Sequence, residues 1–175
     1  MLSQETIRCL KTMTEQIYSE NSKKIMKNKS LIEKELNIKL SSKENIIYID
    51  GKPEEEYFAL QIIEAINLGF TIKKALLLKD PEFTFNQIPI KSVTKRQDLE
   101  RIRGRIIGKH RKALDTIESL TECDISLHDN VIGIIGLAQD VEKASYALQN
   151  LIRGSKHSSV FSYLEKQRAL EKTKL

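Results

Sequence analysis

Residues 101–121 read RIRGRIIGKHRKALDTIESLT and predict two helices joined by a short basic loop. The apolar residues before the loop recur at spacings of three and four, as on one face of a helix: Leu99, Ile102, Ile106 and Ile107. Those after it follow the same pattern: Ala113, Leu114, Ile117 and Leu120. Gly108 lies where the first helix would end. We expect it at positive φ, because glycine adopts that conformation without steric cost.

The same stretch carries an unusual run of cations. Six of the twelve residues 101–112 are Lys or Arg, and none is acidic. Lys109, Arg111 and Lys112 would lie at the N-terminus of the second helix, where the backbone already presents free N–H groups and a partial positive charge. Cations there oppose the helix dipole, but they favour an anionic ligand. A solvated basic turn between two core helices is the alternative interpretation.

The positive charge belongs to the second part of the chain. The 175 residues carry a net charge of +5, but up to Gly69 there are 10 Lys/Arg against 11 Asp/Glu. From Phe70 onward there are 19 against 13. An anionic partner is therefore expected for the second part.

Few residues could build a metal or cofactor site. Cys9 and Cys123 stand alone, and the three histidines are dispersed, so we expect reduced thiols, no structural metal and no cofactor. No apolar run approaches the length of a membrane span, and the first residues lack the apolar core of a signal peptide. We therefore expect an intracellular, cytoplasmic protein.

An internal repeat appears at a fixed offset of 85 residues. Six residues of the first copy recur unchanged in the second: Asn45, Ile47, Ile49, Gly51, Ala59 and Gly69 correspond to Asn130, Ile132, Ile134, Gly136, Ala144 and Gly154. Each copy predicts a helix, two strands and a helix: 29–36, 37–41, 45–50 and 54–68 in the first, and 113–120, 124–128, 131–136 and 139–153 in the second. The fold class is α+β, and each copy should form one small sheet with helices on one face.

Other segments predict further elements. Residues 83–90 would be the leading strand of the second copy, 71–79 a short helix between the copies, and 158–172 a C-terminal helix. Near the start of the chain, residues 6–10 favour a short strand, and Met13, Ile17 and Tyr18 fit one face of a helix.

The glycine turn, followed by a helix, two strands and a long helix, resembles a KH domain. More closely, RIRGRIIGK, NVIGIIG, LIRGS and VFSYLEKQR resemble the tandem-KH small-subunit assembly factors of archaea and eukaryotes known as the partner-of-Nob family. EAINLGFTIKKALLL resembles that family's linker. The resemblance runs over residues 38–168. It implies two tandem type I KH domains, in residues 1–80 and 81–175, and the second of these includes the C-terminal helix.

A KH domain clamps about four nucleotides of single-stranded nucleic acid beside its glycine loop. By resemblance, the second KH domain binds single-stranded RNA at the 3′ end of small-subunit rRNA through Arg101, Gly104, Arg105, Ile107, Gly108, Lys109, His110, Arg111, Lys112, Ile125 and Leu127. The apolar members would line a groove for the bases. With 5 Phe, 5 Tyr and no Trp, aromatic stacking is not expected to dominate base recognition.

The loop departs from the family pattern, which has glycine at both ends. Arg111 takes the place of the second glycine, and it either pairs with a phosphate, which we favour, or obstructs close approach of the backbone. In the first copy both glycines are missing near residues 23–26, which implies a scaffolding or protein-binding unit without a glycine loop. We also expect Gly108→Asp to abolish binding without unfolding the protein, at a backbone cost of order 1 kcal/mol.

The resemblance implies a non-catalytic RNA-binding factor of small-ribosomal-subunit biogenesis that assists 3′-end maturation of 16S-type rRNA. Its implied partners are the rRNA-maturation endonuclease and the alpha subunit of archaeal translation initiation factor two. A KH-fold interaction adaptor that no longer binds RNA is the alternative. Catalysis is not expected, because Asp115 and Glu118, three residues apart on an amphipathic helix, are interpreted as a solvated helix face.

Overall fold

The computed structural model describes residues 15–172. The chain forms two compact units, and the division falls between Asn67 and Leu68. Residues 68–80, which are predicted to belong to the first unit, cluster with the second.

In the first unit three antiparallel strands pair in the order β1-β3-β2. The elements are β1 (Glu15–Tyr18), α1 (Ser22–Lys27), α2 (Lys29–Leu36), β2 (Lys39–Lys43), β3 (Ile46–Asp50) and α3 (Pro53–Asn67). Ile47 and Ile49 on the central strand are fully buried, as are Ile62, Ile63 and Ile66 on α3. These residues follow the strand and helix periodicities that predicted the elements.

The start of α3 shows how its sequence sets its boundary. Pro53 occupies the first helical position, and three glutamates fill the first turn, where they favour the helix dipole. Glu55 accepts hydrogen bonds from the Asn37 side chain and the Lys52 N–H at 3.0 and 3.1 Å, and these bonds lower the pKa of the Glu55 carboxyl.

The beginning of the described chain differs from the prediction. Ile17 and Tyr18 belong to β1 and pair with Ile47 and Ile46, so the prediction of a helix there is wrong. Their short apolar run is ambiguous in isolation, and the neighbouring strand decides it. Met13 and the strand predicted at 6–10 lie outside the described residues.

In the second unit the strand order is β4-β6-β5, again antiparallel. A short helix α4 (Ile72–Ala75) and a 3₁₀ turn (Leu76–Lys79) lead into β4 (Phe83–Pro89) and α5 (Ile90–Val93). Then follow α6 (Leu99–Ile107), α7 (Lys112–Thr121), β5 (Asp124–His128), β6 (Val131–Leu137), α8 (Ala138–Arg153) and α9 (His157–Lys172). The repeat is confirmed, because β2, β3 and α3 begin at the same offset from β5, β6 and α8.

The sheet of the second unit is covered on both faces. Ile132 and Ile134 of β6 join the core formed with α6 to α9. The intervening Gly133 points the other way, and a Cβ there would lie 2.7 Å from the ring of Phe70. The Ser126 hydroxyl donates to the Leu68 carbonyl at 2.6 Å, and Lys74 pairs with Asp124 at 2.6 Å. The main helices lie on one face as predicted, and the segment from Leu68 adds an unpredicted cover on the other.

Two further predictions concern the cysteine thiols and membrane-spanning segments. Burial raises the pKa of the Cys123 thiol to about 11, so the thiol is protonated at neutral pH; Cys9 lies outside the described residues. None of the helices within residues 15–172 is long and apolar enough to cross a membrane.

Candidate nucleic-acid interface

Gly108 ends α6 in a conformation that glycine alone adopts readily. Its φ is 72° and its ψ is 175°, and its N–H donates to the Gly104 carbonyl at 2.9 Å. A Cβ at this position would lie 2.6 Å from the Ala113 Cβ and 2.9 Å from the Ala113 nitrogen. The positive φ is as predicted. The close approach to Ala113 was not foreseen, and it makes the expected cost of only about 1 kcal/mol for Gly108→Asp wrong.

The loop continues with two left-handed residues that are not glycine. His110 has a φ of 52° and Arg111 a φ of 66°. Residues 109–111 form a single 3₁₀ turn, closed by the Arg111 N–H donating to the Gly108 carbonyl at 3.3 Å. Arg111 therefore has the positive φ that would suit the second glycine of the family loop.

Arg111 is held by two carboxylates of its own helix. Its Nε donates to Asp115 Oδ1 at 2.7 Å, and its Nη2 donates to both oxygens of Glu118 at 2.9 Å. These bonds, chiefly the one to Glu118, raise the pKa of Arg111. Glu118 Oε1 also accepts from the Ile125 N–H at 2.9 Å, so it links the loop to the edge strand β5.

This network corrects the interpretation of Asp115 and Glu118 as a solvated helix face. They neutralise Arg111, the cation that is predicted to contact a phosphate. The sequence does contain a signal for these ion pairs. Asp115 and Glu118 follow Arg111 at spacings of four and seven, which are typical of side chains on one helix face.

Lys109 and Lys112 are the cations of the loop that remain available. Both side chains are exposed, and neither forms an ion pair with a carboxylate in the described part of the chain. Together with His110 they line a cavity of about 800 Å³ that extends along α7 to Glu165 of α9. Phosphate oxygens can approach here without displacing an existing partner.

One flank of α6 faces the turn between β5 and β6. Arg103 shows this, because its Nη1 donates to the Asp129 carbonyl at 3.2 Å. Ile107, one turn further along the helix, is 37% exposed, and a Cβ on Gly104 would meet nothing within 4 Å. We call this flank, with the half-buried Leu127 of β5, the loop groove. It offers apolar surface beside the Gly108 loop.

Three predicted site residues lie elsewhere. The Ile125 side chain is buried in the core. Arg105 donates from Nη2 to the Ser155 carbonyl at 2.7 Å, and it lines a separate cavity together with Arg101. Gly104 and Ile107 thus lie on the helix that runs into the loop, whereas Arg101 and Arg105 line another cavity and Ile125 is buried.

Replacing Arg111 by glycine tests how the loop is stabilised. We expect the free energy of unfolding to change by less than about 1 kcal/mol, because glycine removes the steric cost of a left-handed residue, roughly 1–2 kcal/mol. The lost ion pairs are partly exposed to solvent and contribute at most about 1 kcal/mol each. Chemical denaturation would measure the difference.

The same variant separates the possible roles of Arg111 in RNA binding. We expect several-fold weaker binding with an unchanged salt slope, because the substitution uncovers Asp115 and Glu118 beside the phosphates without removing a phosphate contact. Adding Glu118→Gln should recover part of the affinity. A salt slope lower by roughly 0.7 would instead show that Arg111 contacts a phosphate directly.

Comparison with known proteins identifies the type of domain that carries the Gly108 loop. The family of the second KH domain of PNO1, described as a eukaryotic-type KH domain of type I, matches residues 84–169. Residues 84–169 form a type I KH domain of the PNO1 type. This confirms the resemblance and the α+β tandem-KH fold class.

Relatives and solved structures extend the comparison. A KH domain-containing protein of Methanocaldococcus jannaschii is 33% identical over 147 residues, which is 80% of this chain and 65% of that protein. RNA-binding protein PNO1 of Oryzias latipes is 37% identical over 59% of this chain and 44% of its own length. The chain thus spans less than two thirds of these curated relatives. The crystal structure of Dim2p from Pyrococcus horikoshii is 26% identical, with a TM-score of 0.80 over 89% of this chain and 99% of that one.

Proposed function

We propose that this protein is a non-catalytic RNA-binding factor of small-ribosomal-subunit biogenesis. The observation that carries the proposal is the pair of exposed, unpaired lysines, Lys109 and Lys112, on the Gly108 loop of a PNO1-type KH domain. They follow Ile107 in the chain, whose side chain is 37% exposed and can contact bases. This combination of phosphate and base contacts is the way KH domains hold about four nucleotides of a single strand.

The named relatives support the biological setting. Proteins of this family are called RNA-binding protein PNO1 and pre-rRNA-processing protein pno1. A Pyrococcus horikoshii protein with a TM-score of 0.79 and 26% identity to this chain was solved in a complex of a/eIF2alpha, aDim2p and rRNA. Beyond these names, the resemblance in sequence points to the 3′ end of small-subunit rRNA as the ligand. The partners are the alpha subunit of archaeal translation initiation factor two and the endonuclease that matures that 3′ end.

RNA affinity belongs to the second unit in this proposal. In the first unit only Asn28 separates α1 from α2, so the chain has no loop where the second unit has residues 108–111. Residues 23–26, which correspond to the glycine loop of the second unit, lie within α1. The first unit therefore lacks a clamp, and it serves as a scaffold or a protein-binding surface.

The absence of catalysis is also part of the proposal. Asp115 and Glu118 hold Arg111, which leaves them poorly placed for general acid–base chemistry. No group of three or more His, Cys, Asp or Glu side chains within residues 15–172 could hold a metal ion.

Binding of a single strand against a duplex tests the proposal. The full chain should bind a pyrimidine-containing oligonucleotide with the small-subunit 3′ sequence more tightly than a blunt duplex at physiological salt, because a KH groove reads unstacked bases. Fluorescence anisotropy at two salt concentrations gives both affinity and salt slope. Equal affinity for strand and duplex would contradict the proposal. No binding to either RNA would favour the interaction adaptor.

A further inference from the structure

A second basic site lies on the other flank of α6. Four arginines line one cavity of about 510 Å³: Arg96, Arg101, Arg105 and Arg153. The rest of the wall is formed by Gln97, Asp98, Ile102 and Gly154. We call this cavity the arginine pocket. All of its residues belong to the second unit.

Helix geometry separates the arginine pocket from the loop groove. Each residue of an α-helix turns the chain by about 100°, so Arg101 and Arg105, four apart, share one flank. Arg103 lies on the other flank, where it reaches the Asp129 carbonyl. The nine residues of α6 span only about 14 Å, so the pocket and the Gly108 loop are close enough for one RNA strand to touch both.

The charge of the arginine pocket is poorly compensated. Asp98 is the one carboxylate in its wall, and it makes no capping bond to α6. Within the described residues, no salt bridge joins any of the four guanidinium groups to a carboxylate. In the same part of the chain the Arg105 guanidinium has one hydrogen bond, which it donates to the Ser155 carbonyl. The C-terminal end of α8 contributes the partial negative charge of a helix terminus, about half an elementary charge, which does not balance the remaining positive charge.

The shape of the pocket also fits an anion. Gly154 ends α8 at a φ of 108°, and a Cβ there would lie 3.7 Å from both terminal nitrogens of Arg96. The Arg96 guanidinium therefore lies over the end of α8, beside Arg153 in the last turn of that helix. All four cations are arginines, whose planar fork matches the oxygens of a phosphate in a bidentate way that lysine cannot reproduce.

We propose that the arginine pocket binds phosphate groups of an RNA strand outside the nucleotides held in the loop groove. The proposal rests on the proposed function, since it extends the same RNA beyond the Gly108 loop. Clustered like charges destabilise a folded chain when nothing binds them, and an RNA backbone supplies the missing negative charge at regular intervals. The pocket would then set how long an RNA the protein prefers, and the groove would read its bases.

Two RNA lengths and one double variant test this inference in the full chain. Arg101→Glu with Arg153→Glu changes two exposed arginines and leaves Arg105 and its bond to Ser155 intact. The probes are an oligonucleotide of about four nucleotides, which fills the groove alone, and one about three times as long. We expect the variant to bind the short RNA within about twofold of the unsubstituted protein and the long RNA at least tenfold more weakly. Its salt slope for the long RNA should be lower by roughly 1.4, at 0.7 for each of two lost phosphate contacts.

A matched control has the same change in net charge elsewhere. Lys73→Glu with Lys91→Glu alters two exposed lysines outside both sites, and it should leave both affinities within about twofold. Melting curves establish that both double variants are folded.

The outcomes separate the two proposals. If the unsubstituted protein bound neither RNA, the proposed function itself would fail, and this inference with it. If it bound both RNAs, but the arginine variant bound the long RNA normally or weakened both lengths equally, only the arginine pocket would lose its role. A polyglutamate peptide that bound the unsubstituted protein and not the variant, while the long RNA bound both alike, would assign the pocket to an acidic protein and overturn the RNA assignment.

Discussion

Replacing Gly108 by alanine is expected to destabilise the second unit by about 3 kcal/mol. A φ of 72° with a ψ of 175° lies in a region that is essentially restricted to glycine, where another residue costs of order 1–3 kcal/mol. The added Cβ would also lie 2.6 Å from the Ala113 Cβ and 2.9 Å from the Ala113 nitrogen. Overpacking against a backbone atom adds roughly 1–3 kcal/mol, because no side-chain rotation can relieve it. Thermal unfolding should show a melting temperature lower by more than about 10 °C.

Gly104 supplies the matched control, because it lies in the same helix. A Cβ there would meet nothing within 4 Å, so Gly104→Ala should stabilise the protein by up to about 1 kcal/mol through helix propensity alone. If the two Gly→Ala changes, four residues apart, altered the free energy of unfolding in opposite directions, the steric constraint would lie at the loop. If both variants melted alike, the close packing of Gly108 on Ala113 would be wrong.

The Gly108 result also limits what Gly108→Asp can show about RNA. A variant that loses several kcal/mol of a marginal stability can lose binding by unfolding. Substitutions at the exposed lysines of the loop avoid this ambiguity, because they change charge without changing the backbone.

The parts of the fold that repeat could be predicted from the sequence. The strands predicted at 124–128 and 131–136 lie between two helical patterns, and β5 and β6 follow them within a residue. Gly108 was found in the same way, since a glycine after a helical pattern marks its end. These features depend on neighbours in sequence, so local periodicity is sufficient.

Other features depend on contacts that local patterns do not contain. The bond from Arg105 to the Ser155 carbonyl joins residues fifty positions apart. It holds a side chain that is predicted to contact RNA in the wall of a different cavity. Phe70 covers the second face of the sheet because Gly133 leaves room for its ring. The network of Arg111 is local, but its two carboxylates, Asp115 and Glu118, lie beyond the basic run of residues 101–112 that predicts an anionic ligand.

Reversing the charge of both loop lysines is expected to weaken RNA binding roughly 100-fold. Lys109→Glu with Lys112→Glu removes two charge-assisted phosphate contacts, each contributing about 1.5 kcal/mol, and places two carboxylates at the phosphate site. The milder change of both lysines to glutamine should give an intermediate loss and lower the salt slope by roughly 1.4, at 0.7 for each contact. Anisotropy titrations over a range of salt concentrations measure both quantities.

The variant with Lys109→Glu and Lys112→Glu should lose RNA affinity without losing stability. Lys112 begins α7, where a cation opposes the helix dipole and a glutamate favours it by roughly 0.3–1 kcal/mol. The double variant should therefore melt at or slightly above the temperature of the unsubstituted protein while losing its RNA. The Lys73→Glu and Lys91→Glu control, with the same change in net charge, should keep its affinity within about twofold. Strong binding by the loop variant, or an equal loss in the control, would mean that the overall positive charge, and not the Gly108 loop, attracts the RNA. A variant that binds weakly but folds more stably would show that these two cations are present for the ligand, at the expense of the helix that carries them.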